Sequence, residues 1–340
     1  MDSDKLDKLR QRYNGEGGSK IYTERFKRVA DMQFRPDGTR TKPYSGIPTL
    51  LDAPIADTAE GLDVALIGIP MDLGVTNRSG ARFGPRAVRG LERIGPYNSA
   101  LDVLPNGLLK LADIGDVPFR SRYSLEKSIE DIKEFYKDIV KTGAKPLSVG
   151  GDHSVTYPIL KALGEKEPVG MFHIDAHMDT AGSFEGEKFH HGGPFRSAVL
   201  DGVLDPERSI QIGIRGSSTY LFEFSYESGM TVIEASEVHR MGVDAIIEKA
   251  KQVLGDKPFY VTIDVDGIDP AYTPGTGTPE VGGLTPREVQ LMLHGLKGMD
   301  VVGGDVVEIA PQYDANTTTT QVGAQLLFDI LSLMAVNKQT

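Results

Sequence analysis

From residue 64 onward the chain repeats short, nearly continuous apolar runs separated by longer amphipathic stretches. This alternation narrows the fold more than any other feature. The runs are Val64–Ile69, Pro146–Val149, Val169–Ile174, Ser209–Ile214, Phe259–Ile263 and Val301–Val307. Runs this short, with so few polar residues at alternate positions, are expected of central parallel strands buried on both faces. Helical patterns fall between and after them, over Ser124–Lys141, Ser236–Leu254, Pro286–Leu296 and Gln321–Met334. Ser124 is a candidate N-cap, with acidic residues close behind it. Strands alternating with helices predict an α/β fold, a parallel sheet with helices on both faces. A chain of 340 residues accommodates one large domain of this kind or two smaller ones.

Residues 1–60 lack this pattern. They are polar and rich in Gly, Pro, Lys and Arg, with a turn-like stretch at Phe34–Thr39 and a possible packing segment at Tyr44–Leu51. We read them as an N-terminal arm, either a loose tail or an oligomer contact or lid, ahead of a single domain over 61–340. A net charge of -11 opposes nucleic acid and anionic membranes as partners and is compatible with a cationic small molecule. The absence of cysteine excludes disulfides, thiolate metal sites and cysteine nucleophiles. The start is charged, with no apolar leader, and no apolar stretch approaches the ~20 residues that span a bilayer. The expectation is a soluble, cytoplasmic protein.

Three of the apolar runs lead directly into blocks of carboxylates and imidazoles. These are Gly150-Gly151-Asp152-His153-Ser154, Asp175-Ala176-His177-Met178-Asp179 and Asp264-Val265-Asp266-Gly267-Ile268-Asp269-Pro270. Parallel strands place their carboxyl ends on one edge of the sheet, where ligands gather, so the blocks are expected to converge. They offer His153, Asp175, His177, Asp179, Asp264 and Asp266 as ligands. Such a cluster would repel itself without cations. Oxygen and nitrogen donors without sulfur suit Mn²⁺, and also Zn²⁺, Ni²⁺, Co²⁺ or Fe²⁺, whereas two imidazoles disfavour Ca²⁺ and Mg²⁺. Taken singly, each block has a plainer reading: a hydrogen-bonded loop, a tight turn with a capping Asp152, or a calcium-like loop without the glycine and distal Glu of an EF-hand. Elsewhere, His173 lies inside an apolar run and reads as a satisfied core residue, while His239 and His294 fall in helical segments. The Gly- and Pro-rich stretch 273–283 lacks the ending of a phosphate loop and reads as a rigid wall of the site's mouth.

These blocks resemble the signatures of the ureohydrolases, which include arginases, agmatinases, guanidinobutyrases and guanidinopropionases. The resemblance runs from about residue 60 to 335. It extends to Asn77-Arg78-Ser79-Gly80-Ala81-Arg82-Phe83-Gly84-Pro85, His191-Gly192-Gly193-Pro194-Phe195, Pro274–Glu280 and Val307-Glu308. It implies a three-layer α/β/α sandwich around a mainly parallel eight-stranded sheet. It also implies two divalent ions per subunit, Mn²⁺ by family habit with Ni²⁺ as the alternative. One ion would be held by His153, Asp175, Asp179 and Asp264, the other by Asp175, His177, Asp264 and Asp266. His191 would shuttle protons and Glu308 would contact the guanidinium; Asp179 belongs with them in the catalytic set. Asn77 and Gly193 join Glu308 as substrate-binding candidates. The bland alternatives are a surface role for His191, with His190 equally available, a capping or ion-pair role for Glu308, and loop satisfaction for Asn77 and Arg78.

The implied activity is hydrolysis of a guanidino C–N bond in agmatine, guanidinobutyrate or a similar compound, giving urea and an amine. Gly193 stands where agmatinases commonly carry Thr, so an atypical guanidine or a biguanide such as metformin stays open as the substrate. The 180–188 segment has no clear counterpart to the loop with which arginases hold an α-amino acid, which disfavours L-arginine. Two other classes remain: a one-metal amidase of the deacetylase kind, and a non-catalytic subunit that stabilises an active partner. The resemblance further implies a homo-oligomer, trimer or hexamer, with a mixed assembly with a paralogue as an alternative.

Overall fold

The computed structural model describes residues 2–13, 21–33, 45–91 and 95–338. The turn expected at Phe34–Thr39 lies outside the described residues. The chain divides into two compact units, 1–45 and 46–340. The first carries helices Ser3–Tyr13 and Glu24–Gln33, with Tyr13 and Tyr22 edge to face at 5.4 Å.

The second unit is built on eight strands: β1 (Val64–Gly68), β2 (Leu111–Asp116), β3 (Lys145–Val149), β4 (Val169–Ile174), β5 (Leu204–Ile214), β6 (Thr231–Glu234), β7 (Phe259–Asp264) and β8 (Val301–Val307). They form one sheet in the order β2-β1-β3-β8-β7-β4-β5-β6, with every pairing parallel. The apolar runs become the six inner strands. The two edge strands escaped the sequence reading, since LADIGD and TVIE are short and interleave polar residues and Gly with apolar ones. β2 is buried only over Leu111–Asp113 and β6 only at Ile233, so neither carries the continuous apolar signature.

Alternate strand residues feed two apolar layers. Leu147, Phe172, Val261 and Val306 face one; Ile67, Met171, Tyr260 and Val307 face the other. Helix Leu125–Thr142 starts as expected, with the Ser124 hydroxyl accepting from the Lys127 amide at 3.3 Å. The helix expected over Ser236–Leu254 is two, Ala235–Met241 and Val243–Leu254, because Gly242 at φ +79 breaks the turn. One expectation needs correction: helix Thr318–Asn337 is long and apolar enough by composition to cross a membrane. Here it is a core helix, with Leu327, Ile330, Leu331 and Leu333 fully buried and packed on β8.

Candidate active site

The four central strands, β3, β8, β7 and β4, are neighbours, and each ends in one of the sequence blocks. β3 runs into Gly150–His153, β8 into Glu308, β7 into Asp264–Asp266 and β4 into Asp175–Asp179. Sheet order alone therefore gathers residues more than a hundred positions apart. The first block needs glycine for close approach: a Cβ on Gly151 would sit 1.6 Å from the Met71 carbonyl oxygen. That contact brings the 71–76 loop against the site. Asp152 pins it there, accepting from the Gly74 amide at 2.8 Å and from the Ser154 amide and hydroxyl. The capping reading of Asp152 is thus correct, and it delivers His153 to the centre.

All six candidate ligands meet. His153 Nδ1 lies 2.9 Å from Asp179 Oδ2, 3.0 Å from Asp175 Oδ2 and 3.4 Å from Asp264 Oδ2. Yet no hydrogen bond forms at this fully buried nitrogen. A lone pair aimed between three carboxylates rather than along a line to any one of them fits a shared cation. On the other side, His177 Nδ1 lies 3.2 Å from Asp266 Oδ2 and 3.5 Å from Asp175 Oδ1. Backbone amides orient the carboxylates: His177 N–H donates to Asp175 at 2.6 Å, Asp266 N–H to Asp264 at 2.8 Å and Ala176 N–H to Asp266 at 3.1 Å. Thr278, in the Gly- and Pro-rich mouth, donates to Asp266 at 3.0 Å.

The charges of the cluster oppose one another. Burial, reinforced by Asp266 and Asp175, pushes the Asp264 carboxyl well above the usual carboxylate range. Burial and Asp175 raise Asp266 as well. Asp175 is held well below that range against the pull of burial, by His173 and His153. His153 and His177 are raised despite burial, because carboxylates surround them. Two divalent cations would relieve this conflict, and the oxygen and nitrogen donors fit them.

His191 lies in the same place. Its Nδ1 is 2.8 Å from Glu308 Oε1 and its Nε2 is 2.7 Å from the Thr76 hydroxyl. Glu308 Oε1 also accepts the His153 amide at 3.0 Å, while Oε2 is buried without a donor. Asp179 and Glu308 both adopt left-handed backbone, at φ +53 and +62. Such strain in non-glycine residues collects at functional sites. His190, the other histidine of the pair, instead bonds the Gly182 carbonyl at 2.7 Å. Asn77 commits its amide to the Gly277 carbonyl at 3.0 Å. Gly193 is not part of the lining of the cavity above the ligands, and a Cβ there would meet the Ala181 carbonyl oxygen and His190 Nε2, each at 3.1 Å. The cavity of about 510 Å³ above the ligands is lined by Thr76, His177, Asp179, His191, Asp264 and Asp266, and by an apolar rim that includes Phe184, Tyr220 and Phe222.

Sequence reasoning missed Arg215. Its guanidinium donates to the carbonyls of Asp266 and Glu280 at 2.6 Å and of Gly213 and Gly267 at 3.0 Å, stitching the third block to the mouth loop. Nothing in a lone arginine after an apolar run signals this. Arg215→Met is expected to leave these carbonyls without their donor and to cost about 2–4 kcal/mol, read by chemical denaturation.

Known proteins resemble the chain closely. A model of the arginase family matches residues 62–332. The mitochondrial agmatinase of Gallus gallus is 45% identical over 293 residues, 85% of this chain and 86% of its own. Guanidinopropionase of Pseudomonas aeruginosa is 44% identical over 303 residues, covering 88% of this chain and 95% of that one. Among solved structures, proclavaminate amidino hydrolase from Streptomyces clavuligerus superposes with a TM-score of 0.85 at 34% identity, over 87% of this chain and all of that one.

Proposed function

The chain belongs to the arginase family, and from that premise and the geometry of its cavity we propose that it hydrolyses a C–N bond of a small guanidino compound at a pair of divalent metal ions, releasing urea and an amine. The fold is the arginase-like α/β/α sandwich expected of such an amidinohydrolase. His153, Asp175, Asp179 and Asp264 would hold one ion, and Asp175, His177, Asp264 and Asp266 the other, with Mn²⁺ the best match and Ni²⁺ the alternative. When bound, such a pair supplies a nucleophile from water at neutral pH and offsets charge on the attacked carbon's substituents.

The chain's own groups do the rest. A guanidinium brings several N–H donors and a delocalised positive charge. Glu308 is fully buried behind the cavity, bonded to His191 of its lining, and its Oε2 has no donor; that unpaired oxygen supports a charge-assisted hydrogen bond to the guanidinium and carries this part of the proposal. His191, bridging Glu308 and Thr76, is placed to pass a proton at Nε2 toward the cavity mouth, where Thr76 is exposed. The left-handed turns at Asp179 and Glu308 hold both carboxylates in place before substrate arrives. A non-catalytic role fits poorly with six converging ligands, and a one-metal amidase leaves the His177–Asp266 half without purpose.

A urea-release screen of Mn²⁺- and Ni²⁺-loaded protein tests the proposal, with agmatine, 4-guanidinobutyrate, 3-guanidinopropionate, L-arginine, guanidine and metformin as substrates. Turnover of at least one of them is expected; silence on all of them would remove the hydrolase reading.

The His191–Glu308 pair also makes a pH prediction for the metal-free protein. Burial lowers the His191 pKa, but Glu308, aided by Asp179 and Asp152, wins and lifts it to about 9. The folded value lies above the unfolded value of ~6.5, so the stabilisation is complete below about pH 6.5 and fades as pH rises through 9. Thermal melts of wild type and His191→Phe should therefore differ most in the acidic part of this window and converge above it.

A further inference from the structure

Two residues before the ligand blocks, five adjacent strands carry polar residues at the same register. Ser148 of β3 pairs with Asp305 of β8, Asp305 with Thr262 of β7, Thr262 with His173 of β4, and His173 with Gln211 of β5. All five are fully buried, and all point to the face that also holds Tyr136 and Tyr260. A buried polar row across the middle of an otherwise apolar sheet is costly unless every member is bonded. Asp305 Oδ1 and Gln211 Oε1 stay without a donor, and the bonds that do form lead upward to two of the candidate ligands.

The hydrogen-bond directions fix the His173 tautomer and give His153 Nε2 an acceptor. Gln211 Nε2 donates to the Met178 carbonyl at 2.6 Å, which settles the amide's orientation, and it also reaches His173 Nδ1 at 3.0 Å. His173 Nδ1 must therefore accept, so its proton sits on Nε2 and is donated to Asp175 Oδ2 at 2.8 Å. His153 Nε2 lies 2.9 Å from the Thr262 hydroxyl. Beside Thr262 in register, Asp305 is held at Oδ2 by Thr156 at 2.8 Å and Tyr260 at 3.0 Å. With Nδ1 facing the carboxylates as the ligand atom, His153 carries its proton on Nε2 and donates it to the Thr262 hydroxyl. His153 Nδ1 then turns its lone pair toward Asp175, Asp179 and Asp264.

We infer that the Asp305–Thr262–His173–Gln211 row is a positioning layer that sets the His153 tautomer and clamps Asp175 for divalent-cation binding. This rests on the metal-centre reading above. Outer partners of metal ligands orient them and raise their basicity, and losing one costs about 10–100-fold in affinity. The test uses the full chain and Mn²⁺ alone, by isothermal titration calorimetry. Thr262→Val keeps the side-chain shape and removes the acceptor; His173→Phe removes the donor to Asp175; His173→Gln restores a donor. Thr262→Val and His173→Phe should each bind Mn²⁺ about 10–100-fold more weakly, with His173→Gln recovering most of its loss. Wild-type affinity in both folded variants, or equal loss in Phe and Gln variants, would overturn the inference. Nitrogen-15 spectra of histidine-labelled, metal-free wild type give a second readout that needs no variant to fold. His173 should carry its proton on Nε2, and a proton on Nδ1 alone contradicts the row. A wild type that binds no Mn²⁺ at all would sink the metal centre itself, while the His173 tautomer would still judge the row.

Discussion

Asp264→Asn is expected to strip the protein of at least one of the two ions proposed above and to lower kcat/KM by about 10³-fold or more. Asp264 lies between both halves of the cluster, with Oδ2 facing His153 and Oδ1 accepting the Asp266 amide. Asparagine keeps that amide acceptor, so the turn after β7 survives. What it removes is one carboxylate that the two ions would share. The same change has an opposite effect on metal-free stability. Burial, Asp266 and Asp175 already oppose ionisation of Asp264, so removing the charge should raise the metal-free melting temperature. Metal content by elemental analysis, urea release and a metal-free melt give three readouts. Unchanged turnover, or a fall in metal-free stability, would show that Asp264 is not a shared ligand held against repulsion.

The second large effect is expected at Glu308→Gln. The amide is isosteric and can still accept the His153 N–H, so the backbone after β8 is spared. The charge opposite a guanidinium is lost. Removing one partner of a buried charge pair costs 2–5 kcal/mol, which corresponds to about 30- to 4,000-fold in kcat/KM. Metal content should hold at the wild-type level, which separates this variant from Asp264→Asn. Initial-rate kinetics with the best substrate of the screen measures it. A variant with wild-type kcat/KM would move the cation-binding role away from Glu308.

Much of this was legible in the chain because buried parallel strands leave an unmistakable composition. The six inner strands were found, four of them deliver the site, and the three acidic blocks sit at their carboxyl ends as their spacing requires. The edge strands were not found, since LADIGD carries a buried Asp113 paired with Arg89 and its last three residues are only partly buried or exposed. The polar row was invisible for a different reason. Ser148, Thr262 and Asp305 are isolated polar residues in five different strands when Gln211 and His173 are counted with them, and only strand order and register bring them together. His173 illustrates the limit. It is a satisfied core histidine, as the apolar run around it suggests, but its partner Asp175 is a ligand candidate rather than a neighbour of no consequence. Thr76 and Arg215 likewise act through contacts made across loops, at His191 and at the Asp266 turn, which no local pattern announces.

The central claim is a paired-cation centre, and crystals soaked in Mn²⁺ and measured at the manganese absorption edge test it most directly. The account predicts two anomalous peaks in the cavity, one beside His153 and Asp179, the other beside His177 and Asp266, with Asp175 and Asp264 between them. A cavity with no anomalous signal in protein that hydrolyses guanidino compounds, or one peak bound by only half of these residues, would contradict it.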